Sequence, residues 1–187
     1  MAHINVLVPL AQGCEELEAI TITDLLTRAG FNVVTAGLDD KPVVASRGIT
    51  LIPYTTMDKV MEQSFDIMVL PGGLPGADHL RDHPQVQEKL KRMAADRKYI
   101  GAICAAPKAL AQAGLLDNKK ATCFPGSLTQ TPVKNLKYSE DTVVIDGNIV
   151  TSRGPGTAMD FSLTLIELLA GKAKRDEVEG QLLRPAV

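Results

Sequence analysis

The amino-acid sequence predicts an α/β fold, a mostly parallel sheet covered on both faces by helices, formed as a single domain over residues 1–187. Three observations carry that expectation. Short apolar runs rich in β-branched residues alternate with segments of helical spacing. Glycine- or proline-marked turns punctuate the chain between them, and no repeat, linker or low-complexity stretch divides its 187 residues.

Ile4 to Leu10 reads as a buried strand, and His3 just before it as a surface residue. Apolar positions at Leu17, Ile20, Leu25 and Leu26 make the following segment a helix that Gly30 closes in the left-handed region. Phe31 to Ala36 resumes a strand and completes a βαβ unit. Val43 to Ala45 and Ile49 to Ile52 flank Ser46-Arg47-Gly48 as a small hairpin or a pair of edge strands. Asp66 to Leu70 is another core strand, broken by Pro71-Gly72-Gly73. Pro84 to Ala95 has helical spacing with proline in its first turn. Ile100 to Ile103 runs straight into Cys104-Ala105-Ala106-Pro107 and a helix-forming stretch. Asp146-Gly147 between apolar runs predicts a hairpin over Val143 to Ser152, and Asp160 to Ala170 is an amphipathic helix ended by Gly171.

Composition narrows the function. Apolar residues make up 45% of the chain and charged residues 22%, which suits a packed core without metal or disulfide staples. Twenty Lys plus Arg against 22 Asp plus Glu give a net charge of -2, with no basic stripe, which argues against a specific nucleic-acid partner. The opening MAHINVLVPL lacks a basic leader and a long apolar run, and no stretch approaches the roughly 20 apolar residues of a membrane span, so a cytoplasmic protein with no membrane partner is expected. Three cysteines, Cys14, Cys104 and Cys123, form no CxxC pair, which favours thiol chemistry over a disulfide or a metal site.

Cys104 stands out because it lies between a buried strand and a helix, where ligands gather in open α/β sheets. Small neighbours permit a sharp turn of the nucleophile-elbow kind, and a helix N-terminus favours the thiolate. A buried structural cysteine is the competing reading, since free cysteine packs well in cores. The glycines at the end of the Asp66 to Leu70 strand can bring backbone amides close to a ligand as an oxyanion nest. Among Glu15, Glu16 and Glu18, Glu18 is the best candidate for a neutral carboxyl that donates to the sulfur, whereas Glu15 or Glu16 is accounted for by the dipole preference of a first helical turn. Cys14, beside these acids, is a plausible second thiol, Cys123 a core residue, and His79 and His83 lie near Arg81 and Asp82 on an exposed turn. The Asp160 to Ala170 helix reads as core packing before it reads as a dimer face.

Gly13-Cys14-Glu15-Glu16-Leu17-Glu18, Leu70-Pro71-Gly72-Gly73, Ala102-Ile103-Cys104-Ala105-Ala106-Pro107 and Thr151-Ser152-Arg153-Gly154-Pro155-Gly156-Thr157 together resemble the ThiJ/PfpI superfamily. Their order and spacing are similar to the branch of the Parkinsonism-associated deglycase and its bacterial chaperone/deglycase relatives, and the resemblance spans essentially the whole chain. It implies a flavodoxin-like three-layer sandwich, a homodimer, and a nucleophilic cysteine that needs no cofactor and no metal. It further implies Cys104 as nucleophile, Glu18 as its protonated partner, and Gly73 and Ala105 as oxyanion-hole amides. Arg28, Arg47, Gly72, Ser152 and Pro155 would frame the substrate or anion. Two departures matter: Phe124 stands where animal members carry a histidine, and Ala105 where the protease-like branch has the histidine of a Cys-His pair.

Two functions follow as expectations. The first is a glyoxalase or deglycase acting on methylglyoxal-type dicarbonyls or their early protein and nucleotide adducts. The second is an oxidation-sensing stress-response chaperone that uses the same thiol and takes unfolded proteins as partners. An amidase or peptidase ranks below both because Ala105 supplies no base.

Overall fold

A computed structural model describes residues 4–184; His3 lies outside the described residues. Seven strands form the central sheet in the order β10-β11-β7-β6-β1-β2-β5. These are β1 (Asn5–Leu10), β2 (Asn32–Gly37), β5 (Thr55–Thr56), β6 (Ile67–Leu70), β7 (Tyr99–Ile103), β10 (Val143–Asp146) and β11 (Ile149–Ser152). Two short pairs lie outside it, the antiparallel hairpin β3 (Val43–Val44) with β4 (Thr50–Leu51), and β8 (Lys120–Ala121) with β9 (Lys137–Tyr138). All neighbours in the central sheet run parallel except β10 and β11, an antiparallel hairpin whose turn uses Gly147 at φ +64°. The architecture is the α/β flavodoxin-like sandwich that the sequence predicts.

Helices cover both faces because side chains alternate along each strand. Val6 and Val8 of β1 face the layer of α1 (Glu16–Arg28), α6 (Ala158–Ala170) and α7 (Lys172–Gln181), where Ile22, Leu26, Phe161 and Ile166 are buried. Leu7 faces the other layer, built from α2 (Met57–Val60), α3 (Gly76–Asp82), α4 (Pro84–Ala95) and α5 (Pro107–Gln112). Each fully buried aliphatic side chain contributes on the order of 2 kcal/mol, so two such layers account for the cohesion of the sheet. Gly101 leaves room for Phe161, since a Cβ at 101 would meet the ring's Cζ at 3.0 Å. Buried Lys89 of α4 closes the C-terminal end of α2, donating to the carbonyls of Val60, Met61 and Gln63 at 3.1, 2.9 and 2.6 Å.

The parallel pairing sets the site. Leu70 lies beside Ala102 and Ser152 beside Ile103, so the carboxyl ends of β6, β7 and β11 share one edge of the sheet with that of β1. The chain departs from β1 toward β2 on one side and returns through β6 on the other, which opens a crevice at the switch point.

Two differences from the sequence reading have plain causes. The segment around His79 is the helix α3 rather than an exposed turn; its seven residues carry only Ala77 and Leu80 as apolar anchors, too few for a periodic signal. The short strands β5, β8 and β9 are two residues each and give no period to read. Among the described residues no helix is long and apolar enough to cross a membrane.

Candidate active site around Cys104

Cys104 follows the last residue of β7 with φ +63°, a left-handed conformation that costs a non-glycine residue on the order of 1 kcal/mol or more. Neighbouring backbone holds it there: Cys104 N–H donates to the Ser152 carbonyl at 3.0 Å, and Phe124 N–H donates to the Cys104 carbonyl at 2.8 Å. This is the sharp elbow that the small neighbours Ala102, Ala105 and Ala106 predict. The backbone N–H groups of Gly73 and Ala105 both face the sulfur.

Glu18, on the first turn of α1, is fully buried. Its Oε2 accepts the Gly72 N–H at 2.7 Å, its Oε1 is buried with no oxygen or nitrogen partner, and the Cys104 thiol adjoins the carboxyl. Burial pushes this carboxyl up to about 7, against the Gly72 hydrogen bond that pulls it down. Burial pushes the Cys104 thiol up to about 12, and the charge of an ionised Glu18 adds to that. This corrects the expectation of a thiol lowered by a helix end. Ala105 and Ala106 separate Cys104 from α5, which is only six residues long, and burial with Glu18 outweighs the Gly73 and Ala105 amides.

Gly72 and Gly73 are fixed by contact. A Cβ on Gly72 would lie 2.7 Å from the Cys104 Cβ and 2.9 Å from both the Ala105 nitrogen and Glu18 Oε2. Gly73, at φ +88°, would place one 2.3 Å from the Glu15 nitrogen.

The sulfur opens on a pocket of about 320 Å3. Glu15, Ser46, Arg47, Leu74, Phe124 and Ser127 line it, together with Gly73, Ala105 and Pro155. Arg47 is brought in by Glu16, whose carboxylate accepts the Arg47 N–H at 2.9 and 3.0 Å, the Ser46 hydroxyl at 3.1 Å and the Ile49 N–H at 3.4 Å. Burial raises the Glu16 carboxyl, but these hydrogen bonds outweigh it and hold the group below its ordinary value. Glu16 is therefore a buried loop anchor and not an acid placed by the helix dipole alone. The Arg47 side chain itself is 79% exposed, 4.0 Å from Glu15.

Other candidates are placed elsewhere. Arg28 ends α1, ten residues or about 15 Å of helix beyond Glu18, and pairs with Asp24 at 2.8 Å. Ser152 is fully buried, with its hydroxyl donating to the Thr142 carbonyl at 2.7 Å and lying 2.7 Å from the Thr157 hydroxyl; it serves the site through its carbonyl. Cys14 is buried and pushed up to about 11, first by burial and then by the Glu16 charge. Cys123 is buried in keeping with a core role. His79, its Nδ1 3.1 Å from the Gln12 carbonyl, and His83 line a separate apolar cavity with Leu10 and Leu38. Sequence reasoning missed Ser46, Leu74 and Ser127 as pocket walls; Leu74 adjoins the glycine motif, whereas Ser127 lies in a polar turn that carries no signal.

The DJ-1/PfpI family model matches residues 4–168. The chain is 43% identical over 184 residues to Arabidopsis thaliana protein DJ-1 homolog A, covering 97% of the chain and 47% of that protein, so it spans about half the length of this relative. It is 36% identical over 174 residues to Caenorhabditis elegans glutathione-independent glyoxalase DJR-1.2, covering 93% of the chain and 90% of that protein. The crystal structure of Drosophila melanogaster DJ-1beta is similar with a TM-score of 0.93 at 42% identity, over 99% of this chain and 100% of that one.

The raised Glu18 carboxyl makes stability pH-dependent. A proton held more tightly in the folded state stabilises it fully below the ordinary carboxyl value of 4.5, and the benefit is lost as pH rises through about 7. Urea unfolding of wild type between pH 4.5 and 8 is expected to lose on the order of 3 kcal/mol more than unfolding of Glu18→Gln over the same range. Parallel pH profiles for the two proteins would rule out a raised Glu18.

Proposed function

The chain belongs to the DJ-1/PfpI family, and on that premise we propose that it is a cofactor-independent cysteine enzyme converting methylglyoxal-type dicarbonyls, or their early protein and nucleotide adducts, to 2-hydroxy acids. One observation carries this reading: a buried carboxyl pushed up to about 7 adjoins a sulfur that two backbone amides face, at the wall of an open pocket. A relative named as a glutathione-independent glyoxalase supports the same class of chemistry.

In this mechanism the Cys104 thiol gives its proton to the ionised form of Glu18, whose carboxyl adjoins the sulfur and is pushed up toward neutral pH, as attack begins. The thiolate attacks the aldehyde carbon and forms a C–S bond, and the carbonyl oxygen takes a proton from Glu18 to give a hemithioacetal. The Gly73 and Ala105 amides stabilise the oxyanion as it develops. Ionised Glu18 then removes the proton from the aldehyde carbon and returns it to the neighbouring carbon, while the hydroxyl proton of the hemithioacetal passes to the neighbouring oxygen, leaving a lactoyl thioester. Water cleaves the C–S bond, releases lactate and restores the thiol. No histidine is needed, which accommodates Phe124 and Ala105.

Cys104→Ser and Glu18→Gln are each expected to lower lactate formation from methylglyoxal by at least about a hundredfold, the lower range for a positioned acid-base group. Full turnover by Cys104→Ser would end this reading. The position of the proton is tested by the pH dependence of Cys104 alkylation. If Glu18 holds the proton and donates to the thiolate, Glu18→Leu raises the alkylation midpoint; if Glu18 is ionised, deleting its charge lowers it.

A second reading, an oxidation-sensing chaperone, has its own observation. Cys104 lines an open pocket, whereas Cys14 and Cys123 are 0% and 2% exposed. Mild peroxide followed by mass spectrometry should oxidise Cys104 ahead of both; equal oxidation of all three would remove this role.

The homodimer is proposed on α1, where the apolar side chains of Leu17 and Ile20 are half exposed. A two-fold axis perpendicular to α1 runs its two copies antiparallel, which carries Arg28 of one copy toward the Glu15 end of the other. Ile20→Glu should convert a dimer to a monomer in sedimentation; a monomeric wild type would refute the assignment.

A further inference from the structure

A second cavity, about 350 Å3, adjoins the Cys104 pocket and shares Leu74, Phe124 and Ser127 with it. Methylglyoxal has five non-hydrogen atoms and occupies on the order of 100 Å3, scaling from about 30 Å3 per water, so it fills only part of the first pocket. Two neighbouring spaces that share a wall suit a longer molecule.

The charge of the second cavity is uneven. Its lining holds two cations, Arg81 and Lys108, and one carboxylate, Asp78. A single Asp78 oxygen, Oδ1, accepts both Lys108 Nζ at 2.8 Å and Arg81 Nη1 at 3.1 Å. Arg81 turns its Nε and Nη2 to Asp82, which is outside the lining. The Lys108 side chain is 11% exposed, and among the described hydrogen bonds its ammonium donates only to Asp78, so a group with three donors retains capacity for an incoming acceptor. Lys108 is also the second residue of α5, with its backbone N–H donating at 3.4 Å to the carbonyl of Ala105, the residue whose amide faces the sulfur. The Thr129 and Thr131 side chains add hydroxyls to the wall, and the exposed faces of Leu74 and Phe124 form an apolar bridge between the compartments.

We infer that this cavity binds the anionic tail, a carboxylate or a phosphate, of a dicarbonyl substrate whose aldehyde end reaches Cys104, with Lys108 as the residue that selects it. The inference rests on the dicarbonyl reading above and adds to it the class of substrate preferred. Leu74 and Phe124 pack on the carbon skeleton, and Lys108, whose own side chain is 11% exposed, supplies a charge-assisted hydrogen bond.

Three aryl dicarbonyls test it: phenylglyoxal, para-carboxyphenylglyoxal and para-phosphonophenylglyoxal. Wild type should turn over one or both anionic compounds with kcat/KM at least about tenfold above phenylglyoxal, the factor expected of one charge-assisted hydrogen bond, and the compound favoured identifies the tail. Lys108→Met should abolish the preference through KM with kcat retained, and Lys108→Arg should keep most of it. Equal kcat/KM for all three in wild type, or a preference that survives Lys108→Met, overturns the inference. Should Lys108→Met fail to fold by thermal melting, Thr131→Trp, which fills the second cavity, carries the same expectation. Calorimetric binding of para-carboxyphenylglyoxal to Cys104→Ser separates the two proposals. Tight binding lost on adding Lys108→Met upholds the cavity even where wild type shows no turnover, an outcome that would end the enzyme reading alone; no such binding overturns the cavity.

Discussion

The peptide at Gly72 is the contact on which the rest of the site depends. Its N–H donates to Glu18 at 2.7 Å and its carbonyl accepts the Glu15 N–H at 2.9 Å, so one residue at the end of β6 fixes both the entry to α1 and the acid on its first turn. The face of that residue lies against the Cys104 Cβ and the Ala105 nitrogen, with no room for a side chain. Strand end, helix start and elbow are locked by one close packing of backbone, which is why a strained φ at Cys104 persists. The positive φ then points the thiol at amides and acid instead of leaving it in the sheet.

Glu16 and Glu18, two residues apart on one helix, show how far environment decides the state of a carboxyl. Both are buried. Glu16 meets the N–H groups of Arg47 and Ile49 and the hydroxyl of Ser46, donors that favour the anion and hold it below its ordinary value. Glu18 meets one N–H and a thiol, too few donors to offset its burial, and is pushed the other way. The first keeps a loop in place, and the second keeps a proton available near neutral pH. The same helical turn thus supplies a permanent anion for structure and an adjustable one for chemistry.

Much of this arrangement was legible in the sequence, and the physical reasons are specific. The core strands are continuous apolar runs, and the turns between them carry glycine or proline, so β1, β6, β7 and the β10–β11 hairpin are visible as patterns. The Cys104 elbow follows from small residues at a strand end, and Glu18 from its place on the adjoining helix. What the sequence concealed depends on distance in space. The burial of Glu16 arises from a loop some thirty residues away, and the rise of the Cys104 thiol from how little solvent reaches it. Neither is a local property. Arg28 was grouped with Arg47 by motif alone, and a helix rises too far in ten residues for both to meet one sulfur within a single chain.

The groups around the Cys104 sulfur lie beyond the ends of four strands: Glu18 follows β1, Gly73 follows β6, Ala105 follows β7 and Pro155 follows β11. Parallel neighbours in the sheet are joined only through long crossovers, so no hairpin or fragment brings these groups together, and loop-closure entropy delays them until the sheet is assembled. An incompletely folded chain carries an ordinary, solvated cysteine with no acid beside it. The chemistry of this thiol therefore begins only when the chain has closed on itself, and partly synthesised or locally unfolded molecules hold a sulfur of a different kind.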